Sequence, residues 1–222
     1  MRLFCYTLLP ITYFISHMTY DTLATEESIQ KATAALTDRG ITVHLVGTKE
    51  EALEKVRGLI PEGAEVMTAS STTLDQIGFV DLLKSGTHPW KNLKDAIVAE
   101  KDPAKQAELR KQSVLSNYFL GSVHAIAESG QTVTASASGS QIPSYVFTSP
   151  NVIWVAGTQK IVPTLEDALD RVRDYVYPLE DKRMKDAGQG GSVLSKMLIF
   201  EREPAFMKRA IHLIFVKEAL GF

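Results

Sequence analysis

Glu128 is a carboxylate set among small and apolar residues, a placement that could give it unusual reactivity. It lies in residues 121–131, just before a glycine and a predicted strand. A carboxylate with little water around it can act as a general base, or as a nucleophile that carries an acyl group. His124, in the same segment, could relay a proton to it. The structural alternative, in which the carboxylate accepts hydrogen bonds and fixes a turn, is favoured by the residues alone.

Four hydroxyl side chains follow a short predicted strand and open a predicted helix: Ser70, Ser71, Thr72 and Thr73. Backbone N–H groups and hydroxyls converge at such a junction, and the helix dipole favours an anion there. A phosphate or a carboxylate would suit this position. Serine and threonine are also preferred as helix caps, which is the more common reason to find them here. The segment has neither a P-loop lysine nor a glycine fingerprint, so nucleotide binding by those routes is unsupported.

Two further loops contain residue types that could hold an anion. Ser138 and Gly139 belong to a loop of small residues, in which the backbone could approach a ligand closely. Lys160 follows a predicted buried strand, and ligands bind at the carboxyl ends of strands in open parallel sheets. Its ammonium group could neutralise an anionic ligand, although most loop lysines only contact water.

The composition excludes several classes of function. The 222 residues carry a net charge of −2 without a cluster of lysine or arginine, so nucleic-acid binding is not indicated. Cys5 is the only cysteine, so one chain cannot build a four-thiolate iron–sulfur cluster or a cysteine zinc site. No two of the histidines have the spacing of a helical metal pair. We therefore expect no metal site, and no cofactor held within the chain.

The first 17 residues differ from the rest, because they are apolar and aromatic with Arg2 as their only firm charge. The stretch is short and interrupted by Pro10, which argues against a membrane-spanning helix. It also lacks the small-residue cleavage site of a secretory signal. We expect an extension outside the domain, either a wrongly assigned start upstream of Met18 or a targeting segment. Residues 18–222 are expected to form one cytoplasmic domain without membrane contact.

Hydrophobic periodicity alternates between helix and strand along the rest of the chain. Thr25, Thr48 and Thr164 are predicted helix N-caps. The predicted strands are residues 41–46, 64–68, 131–136, 151–156, 196–201 and 211–216. This order predicts an α/β fold with a mainly parallel sheet flanked by helices. The last two strands have no helix between them, so we expect an antiparallel hairpin at the C-terminal edge.

Four phrases in the right order resemble the LUD (lactate-utilization) domain: MTASSTTLDQIGF, YFLGSVHAIAESGQTV, SASGSQIPSYVF and NVIWVAGTQKIVPTLEDALDRVRDYV. The end of the chain, EALGF, is similar to that of the shorter stand-alone members. Together these segments cover roughly residues 25–222. The resemblance implies a fold like that of the group formed by ribose-phosphate isomerases, glucosamine-phosphate deaminases and CoA-transferases.

The resemblance also bears on the candidate residues. In that group, turns rich in serine and threonine after the early strands hold anions, which strengthens the case for the four hydroxyls as ligands. Glu128 stands in an A-x-A-E-S-G phrase typical of LUD domains. The acyl-carrying role of the CoA-transferase glutamate is not transferred to it, because the motif around that residue is absent. With no cysteine after Cys5, the chain resembles the small component of lactate-utilization systems that has no cluster.

Three functions follow as hypotheses. The first is a subunit or accessory protein in the oxidation of lactate to pyruvate, which binds a small carboxylate near Ser70–Thr73, Glu128 and Lys160 and has an iron–sulfur protein as partner. The second is an independent enzyme that acts on a phosphorylated sugar or a CoA thioester through Glu128. The third is a binding module without catalysis. Whether the chain is an enzyme stays open, and a homo-oligomer is compatible with each hypothesis.

Overall fold

The structure is a computed structural model that describes residues 19–222, so the predicted N-terminal extension and Met18 lie outside the described residues. The strands of the described part are β1 (Ile41–Val46), β2 (Glu65–Thr68), β3 (Lys91–Asn92), β4 (Tyr118–Gly121), β5 (Ala125–Ala127), β6 (Thr132–Ser136), β7 (Asn151–Gly157), β8 (Ile161–Val162), β9 (Lys196–Phe200) and β10 (Ala210–Val216). The α-helices are α1 (Glu26–Asp38), α2 (Lys49–Leu59), α3 (Thr72–Gln76), α4 (Phe79–Ser85), α5 (Leu93–Ala99), α6 (Pro103–Gln112), α7 (Leu165–Asp170) and α8 (Tyr177–Asp186).

The main sheet has six parallel strands in the order β1-β10-β7-β4-β2-β3. Successive side chains of a strand point to opposite faces, and β7 shows how this divides the core. Val152, Trp154 and Ala156 pack in one hydrophobic cluster with α1, whereas Ile153 and Val155 pack in a second cluster with α2, α3 and α4. The sheet is therefore covered on both faces, as parallel sheets generally are.

A smaller second sheet has the order β8-β5-β6-β9. β5 pairs with β8 in parallel, and β6 pairs with both β5 and β9 in antiparallel fashion. Ile126 and Phe200 place one face of this sheet against the cluster that contains α1. The other face packs on α7 through Val133 and Ala168. The second sheet thus covers part of one face of the main sheet.

The chain crosses from the main sheet to the second sheet twice, through two connectors of the same length. Residues 122–124 join β4 to β5, and Thr158–Lys160 joins β7 to β8. Because β4 is the neighbour of β7 and β5 is the neighbour of β8, the two connectors lie side by side. This arrangement positions the site described below.

The predicted fold class is confirmed, as are the three predicted caps. The hydroxyl oxygens of Thr25, Thr48 and Thr164 each accept a hydrogen bond from a backbone N–H in the first turn of α1, α2 and α7. The predicted hairpin is wrong, because β9 pairs with β6 in the second sheet while β10 lies between β1 and β7. All of residues 213–216 are buried, and an interior strand is the position that buries both faces of a strand. The antiparallel C-terminal edge is therefore β9 alone.

Gly121, the last residue of β4, permits a close contact that fixes the first connector. Tyr145 packs edge-on against Phe119 and Trp154, and its hydroxyl donates a hydrogen bond to the Ser122 carbonyl oxygen at 3.0 Å. A Cβ atom on Gly121 would lie 1.8 Å from the Tyr145 hydroxyl oxygen. Only glycine lets the two residues stay where they are.

We expect Gly121→Ala to lower the free energy of unfolding by about 2 kcal/mol or more, because overpacking a filled core forces its neighbours to move. Gly58→Ala is the matched control, since Gly58 lies on α2 and a Cβ atom there would have nothing within 4 Å. It should raise stability by about 0.5–1 kcal/mol through the lower entropy of the unfolded chain. Urea unfolding measures both, and equal midpoints for G121A and the wild type would contradict the first expectation.

Candidate functional site

The candidate site lies at the carboxyl ends of four adjacent strands of the main sheet. β2 leads into residues 70–73, β4 into Ser122, β7 into Lys160 and β10 into Leu220 and Gly221. These strands are parallel and consecutive in the sheet, so the residues that follow them come together at one edge. In open parallel sheets this edge is where ligands bind.

Lys160 is the central residue of this edge, and its side chain is 2% exposed. Its Nζ donates hydrogen bonds to Thr73 Oγ1 at 3.1 Å, to Ser122 Oγ at 3.0 Å and to the Val123 carbonyl oxygen at 3.2 Å. We call Lys160, Thr73 and Ser122 the Lys160 cluster. None of the ion pairs formed in residues 19–222 includes Lys160.

Burial holds the pKa of Lys160 well below its usual value, and the positive charge of Arg171 lowers that pKa further. An amine in this state gives up its proton more readily than a surface lysine, which is a property of lysines that act as bases or nucleophiles. A negative charge placed beside the amine would have the opposite effect and favour the ammonium form. The cluster is therefore suited to respond to an anion.

Arg171 is a second buried cation behind the cluster. Its guanidinium donates hydrogen bonds to the carbonyl oxygens of His124 at 2.5 Å and Tyr20 at 3.0 Å. It also stacks on the rings of Tyr20 and Tyr175, with 5.9 and 5.1 Å between its Cζ and the ring centroids. Burial lowers the Arg171 pKa to about 10. Its partners are neutral groups, so it adds positive potential to the first connector.

His124 is neutral at physiological pH, because burial, followed by the charges of Lys160 and Arg171, lowers its pKa to about 3. Its Nδ1 accepts a hydrogen bond from the Ala135 backbone N–H at 3.0 Å, which fixes the ring against β6. The structure does not form the proton relay considered from the sequence, since no hydrogen bond between residues 19 and 222 joins His124 to Glu128.

The last residues of the chain cover the Lys160 cluster. The Leu220 carbonyl oxygen accepts a hydrogen bond from Gln159 Nε2 at 2.8 Å. Gly221 follows with a φ of 65°, and a Cβ atom there would lie 2.3 Å from Thr73 Oγ1 and 3.1 Å from Lys160 Nζ. Glycine thus allows the backbone to pass directly over the amine. Gly221 and Ser122 both remain partly exposed, so the buried amine lies next to residues that contact solvent.

The four predicted hydroxyl residues separate into one cluster member and three neighbours. Thr73 is buried and contacts Lys160, as described above. Ser71 is the N-cap of α3, where its Oγ accepts a backbone hydrogen bond at 3.2 Å. Ser70 is exposed and Thr72 is half-buried on the same loop. The loop therefore contains one residue that contacts the amine and three that precede it in the chain without a contact to the amine.

Ser138 and Gly139 lie in the loop after β6 of the second sheet. Ser138 Oγ bonds to Ser140 Oγ at 3.0 Å, and the Gly139 N–H donates to Ser136 Oγ at 2.8 Å. A Cβ atom on Gly139 would lie 2.6 Å from Cδ of Lys196. No hydrogen bond of the described chain joins this pair to the Lys160 cluster, so their role as ligands stays a prediction without support from the contacts.

Glu128 lies in the turn between β5 and β6, where it contacts α1. Its carboxylate accepts a hydrogen bond from Ser28 Oγ, and its Oε2 is 3.5 Å from Lys31 Nζ. Its backbone N–H donates to the Val162 carbonyl oxygen at the far end of β8, whereas Lys160 precedes that strand. At about 3.3 Å per residue, the backbones of Glu128 and Lys160 are roughly 10 Å apart. These contacts support the structural role, and a catalytic role for Glu128 stays a prediction.

Ser122 is the main residue of the site that the sequence did not indicate. β4 was not among the predicted strands, so nothing marked Ser122 as the residue after a strand end. The signal was present in the apolar run YFLG that ends in a glycine. An assignment of that run as a buried strand would have placed Ser122 beside residues 70–73 and Lys160.

In the part of the chain from residue 19 onward, no group of three or more histidine, cysteine, aspartate or glutamate side chains is arranged to hold a metal ion. The helices of that same part are all too short or too polar to cross a membrane.

Fold and site together define an α/β protein with a candidate ligand site formed by the loops after parallel strands. The sequence matches the family model of the LUD domain over residues 29–216, and the chain belongs to the LUD-domain family. The predicted family is thus confirmed. The chain is similar in structure to the crystal structure of a DUF162 family protein from Deinococcus radiodurans. The TM-score is 0.48 and the identity is 10%, over 88% of this chain and 98% of that chain. No curated protein matches the chain.

We expect stability to fall as the pH is lowered from about 6.5. The unfolded chain protonates His124 near its ordinary pKa of 6.5, whereas the folded chain resists protonation until about pH 3. Protons therefore favour the unfolded state across this interval, at a cost on the order of 1–2 kcal/mol by pH 5. The variant His124→Asn keeps an acceptor for the Ala135 N–H and removes the titration. Urea unfolding at several pH values should give it a flatter profile, and identical profiles would show that His124 is not responsible.

Proposed function

We propose that this LUD-domain protein binds a small carboxylate at the Lys160 cluster and serves as a subunit or accessory protein in lactate utilization. The observation that carries the proposal is a buried lysine amine that has hydroxyl and carbonyl partners but no carboxylate partner among the described residues. Such an amine gains most from an anionic ligand. Membership of the LUD-domain family supports the lactate part, and lactate and pyruvate are both small carboxylates.

The hydroxyls of Thr73 and Ser122 fit this role because a hydroxyl can both donate and accept. In the structure both oxygens accept from Lys160 Nζ. A carboxylate that enters between Ser122 and Gly221 would accept from the amine, and the hydroxyls would turn to donate to it. Since the carboxylate raises the pKa of Lys160, binding should take up a proton at pH values where the free amine is neutral.

The accessory role follows from what lactate oxidation requires. Conversion of lactate to pyruvate removes two electrons and two protons, and the electrons need an acceptor. The single cysteine of the chain cannot hold a four-thiolate iron–sulfur cluster. We therefore assign the electron transfer to an iron–sulfur partner protein and the carboxylate binding to this chain.

The substitution Lys160→Met tests the site. We expect lactate and pyruvate to raise the melting temperature of the wild type, because a ligand that binds only the folded state stabilises it. The effect should be lost in K160M, which has a side chain of similar length and no charge. Lys31→Met is the matched control, since Lys31 is an exposed lysine on α1.

Each variant is compared with its own ligand-free form, because K160M removes the donor that Thr73, Ser122 and Val123 share and should itself be about 1–3 kcal/mol less stable. Ser122→Ala, which removes one acceptor and leaves the amine, should weaken the response in part. Equal stabilisation of K160M and the wild type by lactate would contradict the proposal.

The substitution Glu128→Gln separates the proposal from an enzyme that acts on sugar phosphates or CoA thioesters through Glu128. We expect E128Q to keep the full response to lactate and to lose about 1 kcal/mol of stability, because its contacts with Ser28 and Lys31 are weakened. Calorimetric titration and urea unfolding measure the two quantities. Loss of ligand binding at unchanged stability would instead support the enzyme hypothesis.

A further inference from the structure

A second lysine lies at the same edge of the main sheet, outside the Lys160 cluster. Lys94 is in the first turn of α5, directly after β3. β3 pairs in parallel with β2, with Glu65 opposite Lys91, so the chain brings Lys94 to the level of Thr68 at the end of β2. Its Nζ donates a hydrogen bond to Thr68 Oγ1 at 3.2 Å.

The positive charge around Lys94 is poorly neutralised. Lys94 is half-buried and belongs to none of the ion pairs of residues 19–222. Burial lowers its pKa, and the charges of Arg110 and Lys84 lower it further, so two other cations act on this amine. Arg110 donates to an amide oxygen, and the Asp81 carboxylate is 3.5 Å from Lys84. An anion at this position would remove the repulsion among the three.

Lys94 and Lys160 approach the same loop from two sides. Thr68, the partner of Lys94, is opposite Leu120 in the sheet, and Ser122, a partner of Lys160, comes two residues later. From the spacing and rise of strands, the backbones of Thr68 and Ser122 are roughly 8 Å apart. The loop that starts after Thr68 carries the exposed Ser70 between these two positions. The residues that the two amines contact are therefore separated by about the span of one small molecule.

We propose that the ligand is a small dianion, by which we mean a molecule with two anionic groups: its carboxylate binds the Lys160 cluster while a second anionic group binds Lys94 beside Thr68. This inference rests on the proposed function and names the class of its ligand. A hydroxy acid with a second carboxylate or with a phosphate group satisfies the description. Lactate alone leaves Lys94 without an anionic partner.

Three matched probes test the inference by calorimetric titration of the full-length chain. Malate and 3-phosphoglycerate both contain the 2-hydroxy carboxylate of lactate, with a carboxylate or a phosphate-bearing group in the place of its methyl hydrogen. We expect at least one of them to bind roughly tenfold tighter than lactate, which is the effect of one charge-assisted contact. The tighter of the two identifies the second anionic group.

Lys94→Met should reduce the affinity for the preferred dianion to that for lactate and leave lactate binding unchanged. Lys94→Gln keeps a donor for Thr68 without the charge, and it should behave in the same way. Lys91→Met is the control, because it removes an exposed lysine on β3 three positions away. Two results would overturn the inference: dianions that bind no tighter than lactate, or a K94M variant that retains the preference.

The two proposals fail in different ways. If K160M leaves the binding of all three probes unchanged while K94M weakens the dianions, the proposed function is wrong and Lys94 alone is an anion site. If K160M abolishes lactate binding while K94M affects no probe, the proposed function stands and the dianion is wrong. Binding of none of the three probes would contradict both.

Discussion

The hydrogen bonds of the Lys160 amine are the interaction on which the rest of the site depends. Lys160 ends one connector between the two sheets, while Ser122 and Val123 belong to the other. The bond to Thr73 adds the loop after β2, so one ammonium group joins the ends of three strands. All three of its protons have acceptors, which makes burial of the amine tolerable. None of those acceptors carries a charge, which keeps the ionised form costly.

The glycines of this region follow from the same constraint. The chain must leave the main sheet twice at adjacent positions, and Gly121 and Gly157 are the residues where it does so. A Cβ atom on Gly121 would meet Tyr145, and one on Gly157 would lie 2.4 Å from the Glu218 carbonyl oxygen. Because these two positions have no side chain, Tyr145 and the C-terminal residues can close around the amine. The packing of Tyr145 and the C-terminal residues against the two connectors therefore also keeps water away from the Lys160 amine.

The sequence predicted what depends on neighbouring residues and missed what depends on distant ones. The cap at Thr25 and the strand at Ile41–Val46 were correct, because the signal of each lies within a few positions. The C-terminal hairpin was wrong, because the place of β10 is decided by β1 and β7, far away in the chain.

The site shows the same division between near and distant residues. Lys160 and Thr73 were indicated by strand ends, but their contact spans 87 positions. Glu128 also has its contact far away in the chain: it accepts a hydrogen bond from Ser28, which lies on α1 and outside the Lys160 cluster.

Arg171 explains how a buried lysine can serve binding as well as folding. Its guanidinium contacts neutral groups, so its charge acts on Lys160 and His124 without being cancelled nearby. Burial first, and then that charge, lower the pKa of both residues, so each gives up a proton more readily than it would at the surface. An entering carboxylate opposes this effect at Lys160, because a negative charge beside the amine favours its ionised form. The amine then holds its proton more firmly while the anion is present, and the electrostatic cost of burying the cation becomes selectivity for a negatively charged ligand.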